Sequence, residues 1–176
     1  MKNESQNYHR SSMRLKGYDY SLPGAYFITL VTHQRECLFG EVVDGEMQVN
    51  QLGKIVEFAW MDLPAHYLHV TLDAFVVMPN HVHGIVVIEA GDDYYRRGGS
   101  QTHPHKIKIY GLPEIVRAFK SFSARRINQI RNTKGVAVWQ RSFYDHIIRD
   151  DRDYRNIWEY IETNQLKWGE DEFHAK

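Results

Sequence analysis

The chain has 176 residues, of which 43% are hydrophobic and 25% charged, a composition typical of globular proteins and a length that fits one domain better than two. Its 22 basic and 22 acidic residues leave no net charge to attract a polyanion to the whole surface, so any nucleic-acid site must be local. A single cysteine excludes an internal disulfide framework, and no apolar run approaches the ~18 residues that span a bilayer, so we expect a soluble cytoplasmic protein without a membrane partner.

The expected organisation is one domain at residues 15–170, preceded by a polar N-terminal arm at 1–14 and followed by a C-terminal tail at 171–176. The neutral total hides an uneven distribution of charge. Basic residues cluster from Arg117 to Arg131, and acidic residues cluster from Glu170 to Glu172.

The first elements along the chain are predicted to be strands and then a helix. β-branched and aromatic residues predict a strand at Ala25–Thr32. Asp44-Gly45 favours a type I′ turn and so predicts a hairpin between Leu38–Val43 and Glu46–Asn50. Apolar residues at helical spacing then predict a helix at Gln51–Leu63.

The remaining elements complete a mixed pattern of strands and helices. Val70–Val77 and His81–Glu89 are predicted to pair as central antiparallel strands around a Pro-Asn turn. Ala90–Ile109 is predicted to be a long exposed excursion. Three further elements are predicted: a helix from Pro113 to about Ile130, an edge strand at Phe143–Arg149, and a helix from Asp151 to about Lys167.

This order of elements predicts the fold class. Two or more helices on one face of an antiparallel sheet give an α+β protein. We therefore expect a ferredoxin-like antiparallel sheet with helices packed on one face, together with a small β-hairpin.

The sequence His81-Val82-His83-Gly84 is a candidate metal-binding motif. Alternate side chains of a strand point to the same face, so the two imidazoles can bind one ion. Gly84 has no Cβ and is expected to leave room for a ligand's backbone. The alternative is a pair of half-exposed histidines with no ligand.

The last predicted helix carries a second candidate pair. Tyr160 and Asn164 are four residues apart and share one face of the helix. Tyrosine can act as a covalent nucleophile when a cation stabilises its phenolate or the phosphoryl oxygens under attack. The alternative is a half-buried tyrosine in an amphipathic helix.

Several separated motifs, taken together, resemble one family over nearly the whole chain. They are Val77–Gly84 (VMPNHVHG), Trp139–Arg149 (WQRSFYDHIIR), Tyr160–Asn164 (YIETN), Arg14-Leu15 and Tyr18–Thr32. They resemble the IS200/IS605-like single-tyrosine HUH transposases, and specifically the REP-associated tyrosine transposase branch.

The resemblance implies a metal-dependent endonuclease and strand-transferase that acts on single-stranded DNA with imperfect hairpins. Tyr160 would attack the DNA to form a covalent 5′-phosphotyrosine intermediate, and a strand end would later reverse the step. His81, His83 and Asn164 would hold Mg²⁺ or Mn²⁺. Such a protein would act in the bacterial cytoplasm, associated with the nucleoid while it acts, and a homodimer is possible because some relatives exchange tyrosine helices between subunits.

The third ligand of the implied set must be chosen between two neighbours. IS200-type members have Gln four residues after the tyrosine, whereas the REP-associated branch generally has Asn followed by Pro; here Asn164 is followed by Gln165. On a helix, Asn164 lies about 40° around the axis from Tyr160, and Gln165 lies roughly 140° away. Asn164 is therefore the expected ligand, and without the proline the helix can continue past it.

Further expectations concern contacts to DNA. The candidates are Arg14, Arg117, Lys120, Arg125, Arg126, Arg141 and His146. A phosphate-binding strip is one interpretation of the basic residues, and a solvated charged face is the other. His146 could contact DNA, assist proton transfer or orient a neighbour. Tyr154 and Tyr144 are alternative nucleophiles that lie outside the matched position.

Two other functions remain as alternatives at this point. One is a domesticated regulatory protein that binds hairpins without cleaving them, although the complete set of two histidines, tyrosine and asparagine argues against such decay. The other is an HUH replication initiator or relaxase, which the short chain and the absence of a tyrosine pair disfavour.

Overall fold

The structure, a computed structural model, describes residues 15, 17–90 and 109–174. The predicted N-terminal arm and most of the predicted excursion at Ala90–Ile109 lie outside the described residues. No helix within the described ranges is long and apolar enough to cross a membrane.

The described residues form strands and helices close to the predicted positions. The strands are β1 (Gly24–Val31), β2 (Gly40–Val43), β3 (Glu46–Val49), β4 (Val70–Met78), β5 (His81–Ile88) and β6 (Tyr144–Ile148). The α-helices are α1 (Gln51–Met61), α2 (Leu63–His66), α3 (Leu112–Arg131) and α4 (Asp151–Thr163). Short 3₁₀ helices occur at His33–Arg35 and Asn164–Glu170.

The central sheet has the strand order β4-β5-β1-β6, and every neighbouring pair is antiparallel. Its strands alternate with two helices in the order β1-α1-β4-β5-α3-β6, which is the βαββαβ order of a ferredoxin-like fold. The β2-β3 hairpin is inserted after β1 and turns at Asp44 and Gly45, whose φ angles of 52° and 81° suit the predicted type I′ turn. The predicted α+β class is confirmed.

Helices cover both faces of this sheet. On one face, α1 and α3 pack on alternate residues of β1 and β5 in a single core that includes Val56, Trp60, Ile115, Phe119, Ile28 and Val82. On the other face, Ile161 of α4 packs with Phe27 and Ile85. The expected packing on one face therefore holds for α1 and α3, while α4 covers the opposite face. Strands β1 and β5 are apolar on both sides, so each side needs a cover.

The space beside Gly84 belongs to the core and not to a ligand. The residue faces α1, where a Cβ would overlap the ring of Trp60 and press on Phe75. Its neighbour His83 faces the other way, because side chains alternate along a strand. The expectation that Gly84 admits a ligand's backbone is therefore wrong, and its small size serves the stacked Trp60–Phe75 pair, whose centroids are 4.6 Å apart.

Helix α4 is shorter than predicted, because the α-helix ends at Thr163 and the chain continues as a 3₁₀ helix. Thr163 leaves the helical region, with φ −95° and ψ 0°, and its hydroxyl donates to the carbonyl of Glu159. In the 3₁₀ segment, Gln165 Oε1 accepts a hydrogen bond of 3.0 Å from the backbone N–H of Met47. This contact joins the end of α4 to the β2-β3 hairpin.

Candidate active site between strand β5 and helix α4

The two histidines of β5 lie side by side on the face that α4 covers. His81 and His83 are 0% and 1% exposed, and their ring centroids are 4.5 Å apart. The alternation expected from the sequence therefore brings both imidazoles to one place.

The orientation of His81 is fixed by Asn80. The side-chain amide of Asn80 donates to the backbone carbonyls of Arg35 (3.1 Å) and Phe173 (2.7 Å). Its Oδ1 is then left to accept from His81 Nδ1, which lies 2.9 Å away. His81 therefore carries its proton on Nδ1, and its Nε2 has a free lone pair of the kind that binds metals.

The hydroxyl of Tyr160 lies next to the second histidine. It is 3.2 Å from His83 Nε2, and the two ring centroids are 5.1 Å apart. His83 Nδ1 lies 2.8 Å from the hydroxyl of Thr29 on the neighbouring strand. Tyr160 remains 38% exposed and lines an open groove. The tyrosine and both histidines belong to one chain.

The pKa values of the two histidines are lowered, as suits metal ligands, and the pKa of Tyr160 is raised, as expected of a nucleophile that is not yet activated. Burial lowers the pKa of His81 to about 4, against an opposing effect of Asp171, and burial together with His81 keeps the pKa of His83 well below its usual range. Both imidazoles are then neutral at physiological pH, the form that coordinates metals. Burial, followed by Asp171 and Glu172, raises the pKa of Tyr160 to about 12. Tyr160 is therefore protonated at neutral pH, and a nearby cation would favour its phenolate.

Two buried acceptors of the cluster have no hydrogen-bond partner among the described residues: His81 Nε2 and Asn164 Oδ1. Asn164 is 2% exposed and begins the 3₁₀ helix after α4. An unsatisfied buried polar atom costs roughly 1–3 kcal/mol. A cation is the simplest partner for two unpartnered acceptors of this kind, so the donor set fits a metal ion.

Asp171 adds a carboxylate to the same cluster. One ligand atom from each of His81, His83 and Asp171 can be chosen such that all three lie within 4.8 Å of one another. Asp171 Oδ2 is 4.0 Å from His81 Nε2 and accepts a 3.3 Å hydrogen bond from Asn164 Nδ2. The group thus offers two nitrogen donors and oxygen donors to one ion.

The described part of the predicted tail lies against this cluster. Arg35 donates a 2.8 Å hydrogen bond to the carbonyl of Glu172, and the guanidinium carbon of Arg35 lies 5.6 Å from the centre of the Phe173 ring. The Phe173 ring is in turn 4.9 Å from the ring of His81. Residues 171–174 therefore form one wall of the site.

Sequence reasoning missed three residues of this arrangement, and each had a weak signal. Asp171 stands in the acidic cluster at the C-terminus, which indicated only charge. Asn80 precedes His81 directly, but its sequence context next to Pro79 indicates only a turn. Thr29 lies in a predicted strand, but its partner His83 depends on strand pairing that sequence alone does not fix.

The basic residues predicted on α3 do not lie on the histidine side of the sheet. Arg117, Arg125 and Arg126 are on the helix that packs against the opposite face. The guanidinium of Arg126 lies 4.8 Å from the centre of the Phe122 ring. Lys120 Nζ donates to the carbonyls of Gln140 (3.0 Å) and Ser142 (2.8 Å), which fixes the loop before β6.

Two other predicted DNA contacts lie at or before β6. Arg141 is exposed in the loop that precedes this strand. His146 shares a sheet face with Phe27, and its Nε2 is 2.8 Å from Asp153 Oδ2 in the first turn of α4. This contact ties β6 to the helix that carries the tyrosine. Arg14 lies outside the described residues.

Neither of the two alternative nucleophiles is hydrogen bonded to the histidine pair within the described residues. Tyr154 donates its hydroxyl proton to Asp73 Oδ2, and burial with that hydrogen bond raises its pKa to about 12. Tyr144 lies on β6 opposite Thr29. Of the three candidate hydroxyls, the one hydrogen bonded to a histidine within the described ranges is that of Tyr160.

The chain is similar in sequence or in structure to several known proteins. No protein-family profile matches the chain. The chain is 38% identical to an uncharacterised protein of Haemophilus influenzae over 96% of its own length and 94% of that protein's. It is 28% identical to a second H. influenzae protein, provisionally named a REP-associated tyrosine transposase, over 86% of the chain and 75% of the relative. A solved REP-associated tyrosine transposase bound to a REP hairpin shares the fold, with a TM-score of 0.58 and 22% identity over 89% of the chain and 75% of that structure.

Proposed function

The chain belongs to the REP-associated tyrosine transposase family, and on this basis we propose that it is a metal-dependent endonuclease and strand-transferase acting on single-stranded DNA with imperfect hairpins. Tyr160 is the proposed nucleophile, and His81, His83 and Asn164 are the proposed ligands. The proposal rests on the 3.2 Å separation between the Tyr160 hydroxyl and His83 Nε2, beside the unpartnered His81 Nε2 and Asn164 Oδ1.

In the proposed cleavage step, the Tyr160 oxygen attacks the phosphorus of a phosphodiester. A bond forms between that oxygen and phosphorus, and the bond from phosphorus to the 3′ oxygen breaks. The phenol loses a proton and the departing 3′ oxygen gains one, so the products are a 5′-phosphotyrosine and a free 3′-hydroxyl. The covalent link conserves the phosphodiester energy, so an incoming 3′-hydroxyl can reverse the step without a nucleotide cofactor.

The residues around Tyr160 prepare this step in distinct ways. A pKa of about 12 keeps the phenol protonated until substrate is in place. Asn80 and Thr29 hold the two imidazoles with Nε2 directed at the site. A bound divalent ion would offset the charge on the phosphate oxygens and favour the phenolate. His81, His83 and Asn164 would hold that ion, and we add Asp171 as a further oxygen ligand.

The kinds of ligand atom in the site help to distinguish between the two expected ions, Mg²⁺ and Mn²⁺. Mg²⁺ favours oxygen ligands in octahedral geometry, whereas first-row transition metals accept imidazole readily. Two imidazoles with one amide and one carboxylate therefore suit Mn²⁺ better than Mg²⁺. We propose Mn²⁺ as the ion that supports the faster reaction.

The names of the family and of the structural neighbour support the proposed substrate class. That transposase is bound to a REP hairpin, and it shares the fold of this chain. We propose that this chain likewise binds a DNA hairpin and cleaves in its single-stranded flank. Because one chain supplies both histidines and the tyrosine, a single copy can assemble the site.

A covalent adduct is the direct readout of this function. The protein would be incubated with Mn²⁺ and labelled hairpin oligonucleotides with single-stranded flanks, drawn from repeats beside its own gene, and resolved on a denaturing gel. We expect an adduct that Tyr160→Phe abolishes and that Tyr154→Phe, the matched control on the same helix, retains. Hairpin binding without an adduct on any oligonucleotide of the panel would contradict cleavage and favour the regulatory hairpin-binding alternative.

A further inference from the structure

A groove of about 490 Å³ opens directly beside Tyr160, between the sheet face and the C-terminal segment. Aromatic rings and hydrogen-bonding side chains line it together. They include Phe27, Thr29, Gln140, Tyr144, Tyr160 and Phe173. The groove is continuous with the proposed nucleophile, since Tyr160 and His83 are part of its lining.

Flat aromatic surfaces form much of the groove. The ring of Phe27 stacks on His83 with centroids 5.4 Å apart and planes inclined by 23°. Tyr160 and Tyr144 stand almost upright on Phe27, with interplanar angles of 84° and 69° and centroid distances of 6.0 and 6.2 Å. The result is an aromatic floor with aromatic sides, which suits a planar guest.

Strand pairing fixes the position of Tyr144 relative to the metal-binding histidines. Thr29 pairs with His83 on one side and with Tyr144 on the other, so the three side chains form one row across β5, β1 and β6. Two strand spacings separate the ends of this row by roughly 10 Å. Because Tyr144 lines the same groove as Tyr160 and is 44% exposed, a nucleoside next to a phosphate at Tyr160 is within reach of its ring.

The charge of the groove favours a neutral guest. Its lining, within the described residues, contains no lysine or arginine, and it includes the carboxylate of Glu172. Beyond the proposed metal site, a backbone phosphate would be repelled in this groove, whereas a nucleobase is planar and uncharged. Gln140 adds an amide, and its backbone N–H and carbonyl are already bonded to Val31 and Lys120, so the loop that presents its side chain is held in place.

We propose that this groove binds one unpaired nucleobase adjoining the scissile phosphate, with Tyr144 as the stacking surface and the Gln140 amide as a contact to the base edge. The inference rests on the proposed function, because it takes a phosphate held at Tyr160 as its starting point. Stacking on aromatic side chains is tolerant of sequence, whereas the amide can distinguish bases. Tyr144 thus positions the DNA strand, and Gln140 determines which base is preferred in the groove.

A fluorescent base placed in the substrate tests the stacking. Hairpin oligonucleotides with single-stranded flanks would carry one 2-aminopurine at each flank position in turn, and binding would be followed in EDTA so that no cleavage occurs. We expect the fluorescence of one position to be quenched on binding. Tyr144→Leu should lose that quench and bind about tenfold more weakly, and Tyr144→Phe, which keeps the ring, should restore both. Phe58→Leu, an exposed aromatic on the opposite face, is the matched control.

An abasic nucleotide at the quenched position tests whether Tyr144 and the base form one contact. Wild-type protein should bind the abasic hairpin about tenfold more weakly, and Tyr144→Leu should show no further loss, because the contact is already gone. Equal losses in both proteins would overturn the proposal. Gln140→Ala, whose substitution leaves the backbone bonds intact, should keep the quench while flattening the preference among the four bases.

The two proposals fail in different ways. An adduct through Tyr160 in Mn²⁺ without a quench at any flank position would overturn the base-binding groove and leave cleavage standing. A quench that depends on Tyr144, without an adduct on any hairpin, would overturn cleavage and retain the groove.

Discussion

The two faces of the central sheet are built from the same strands and have opposite chemistry. On β5, Val82 and Val86 are fully buried under α1 and α3, while His81 and His83 are equally buried on the side of α4. Each buried aliphatic side chain on the first face contributes roughly 1.5–3 kcal/mol to stability. On the second face, buried acceptors without partners cost roughly 1–3 kcal/mol each.

Alternate residues of each strand therefore have different roles: those on one face stabilise the fold, and those on the other face form the candidate site. The α1-α3 face stabilises the domain, and the α4 face carries polar groups that a metal ion and a DNA strand can satisfy. Substitutions on the first face should change the free energy of unfolding. Substitutions on the second face should change the rate of adduct formation or the affinity for the metal ion.

The largest effect is expected on the chemical face. His83→Ala should reduce the rate of adduct formation about a thousandfold or more, because it removes both a proposed metal ligand and the neighbour of the Tyr160 hydroxyl. Hairpin binding should persist, since phosphate contacts from basic residues do not need the ion. Gel quantification of adduct and fluorescence anisotropy measure the two quantities. His66→Ala, an exposed histidine of α2, is the control, and parallel loss of binding and adduct would contradict the separation.

On the core face, Trp60→Ala should lower the free energy of unfolding by about 3–5 kcal/mol. Trp60 is 1% exposed and stacks on Phe75, so truncation leaves a cavity beside Gly84. Urea denaturation measures the change, and Trp158→Ala, at an exposed tryptophan of α4, should cost less than about 0.5 kcal/mol. Similar losses in both variants would refute the assignment of the core.

Much of the arrangement of residues on the two faces of the sheet can be predicted from the sequence. Period-two alternation at His81 and His83 places both on one face, and the four-residue spacing of Tyr160 and Asn164 places them on one side of a helix. These are local regularities, so they survive without knowledge of the tertiary structure.

Other features of the site depend on long-range packing and could not be predicted from the sequence. Asp171 reaches the histidines because the chain tightens into a 3₁₀ helix after α4 and then folds back, which no local pattern encodes. Lys120 lies on a basic helix, yet its ammonium group bonds two carbonyls of a distant loop. The apolar residues on both sides of β1, such as Phe27, show that each face needs a cover, but which helix covers which face depends on the tertiary structure.

The residue that orients His81 should tune metal affinity without joining the coordination. Asn80→Ala removes the acceptor for His81 Nδ1–H and should weaken Mn²⁺ binding by about 10–100-fold. Isothermal titration with Mn²⁺ measures this change. Gln165→Ala, beside Asn164 but bonded to the hairpin, should leave the affinity unchanged. An unchanged affinity in Asn80→Ala would remove Asn80 from the account.

Acid should destabilise the metal-free protein through the same buried histidine. The folded-state pKa of His81 is lowered to about 4, so the unfolded chain binds the proton first as the pH falls. The free energy of unfolding should therefore decrease as the pH drops below about 6.5, by on the order of 2 kcal/mol at pH 4.5. Denaturation in EDTA at pH 7.5 and 4.5 measures the slope. His81→Gln should have a shallower slope, and an equal slope would refute this cause.

Mass spectrometry of the trapped adduct tests the central claim most directly. Protein incubated with Mn²⁺ and a cleavable hairpin would be digested with nuclease and protease, and the modified peptide would be sequenced. The account predicts a nucleotide attached to Tyr160. A nucleotide on Tyr144 or Tyr154 would contradict it, because neither hydroxyl is bonded to the histidine pair in the described structure.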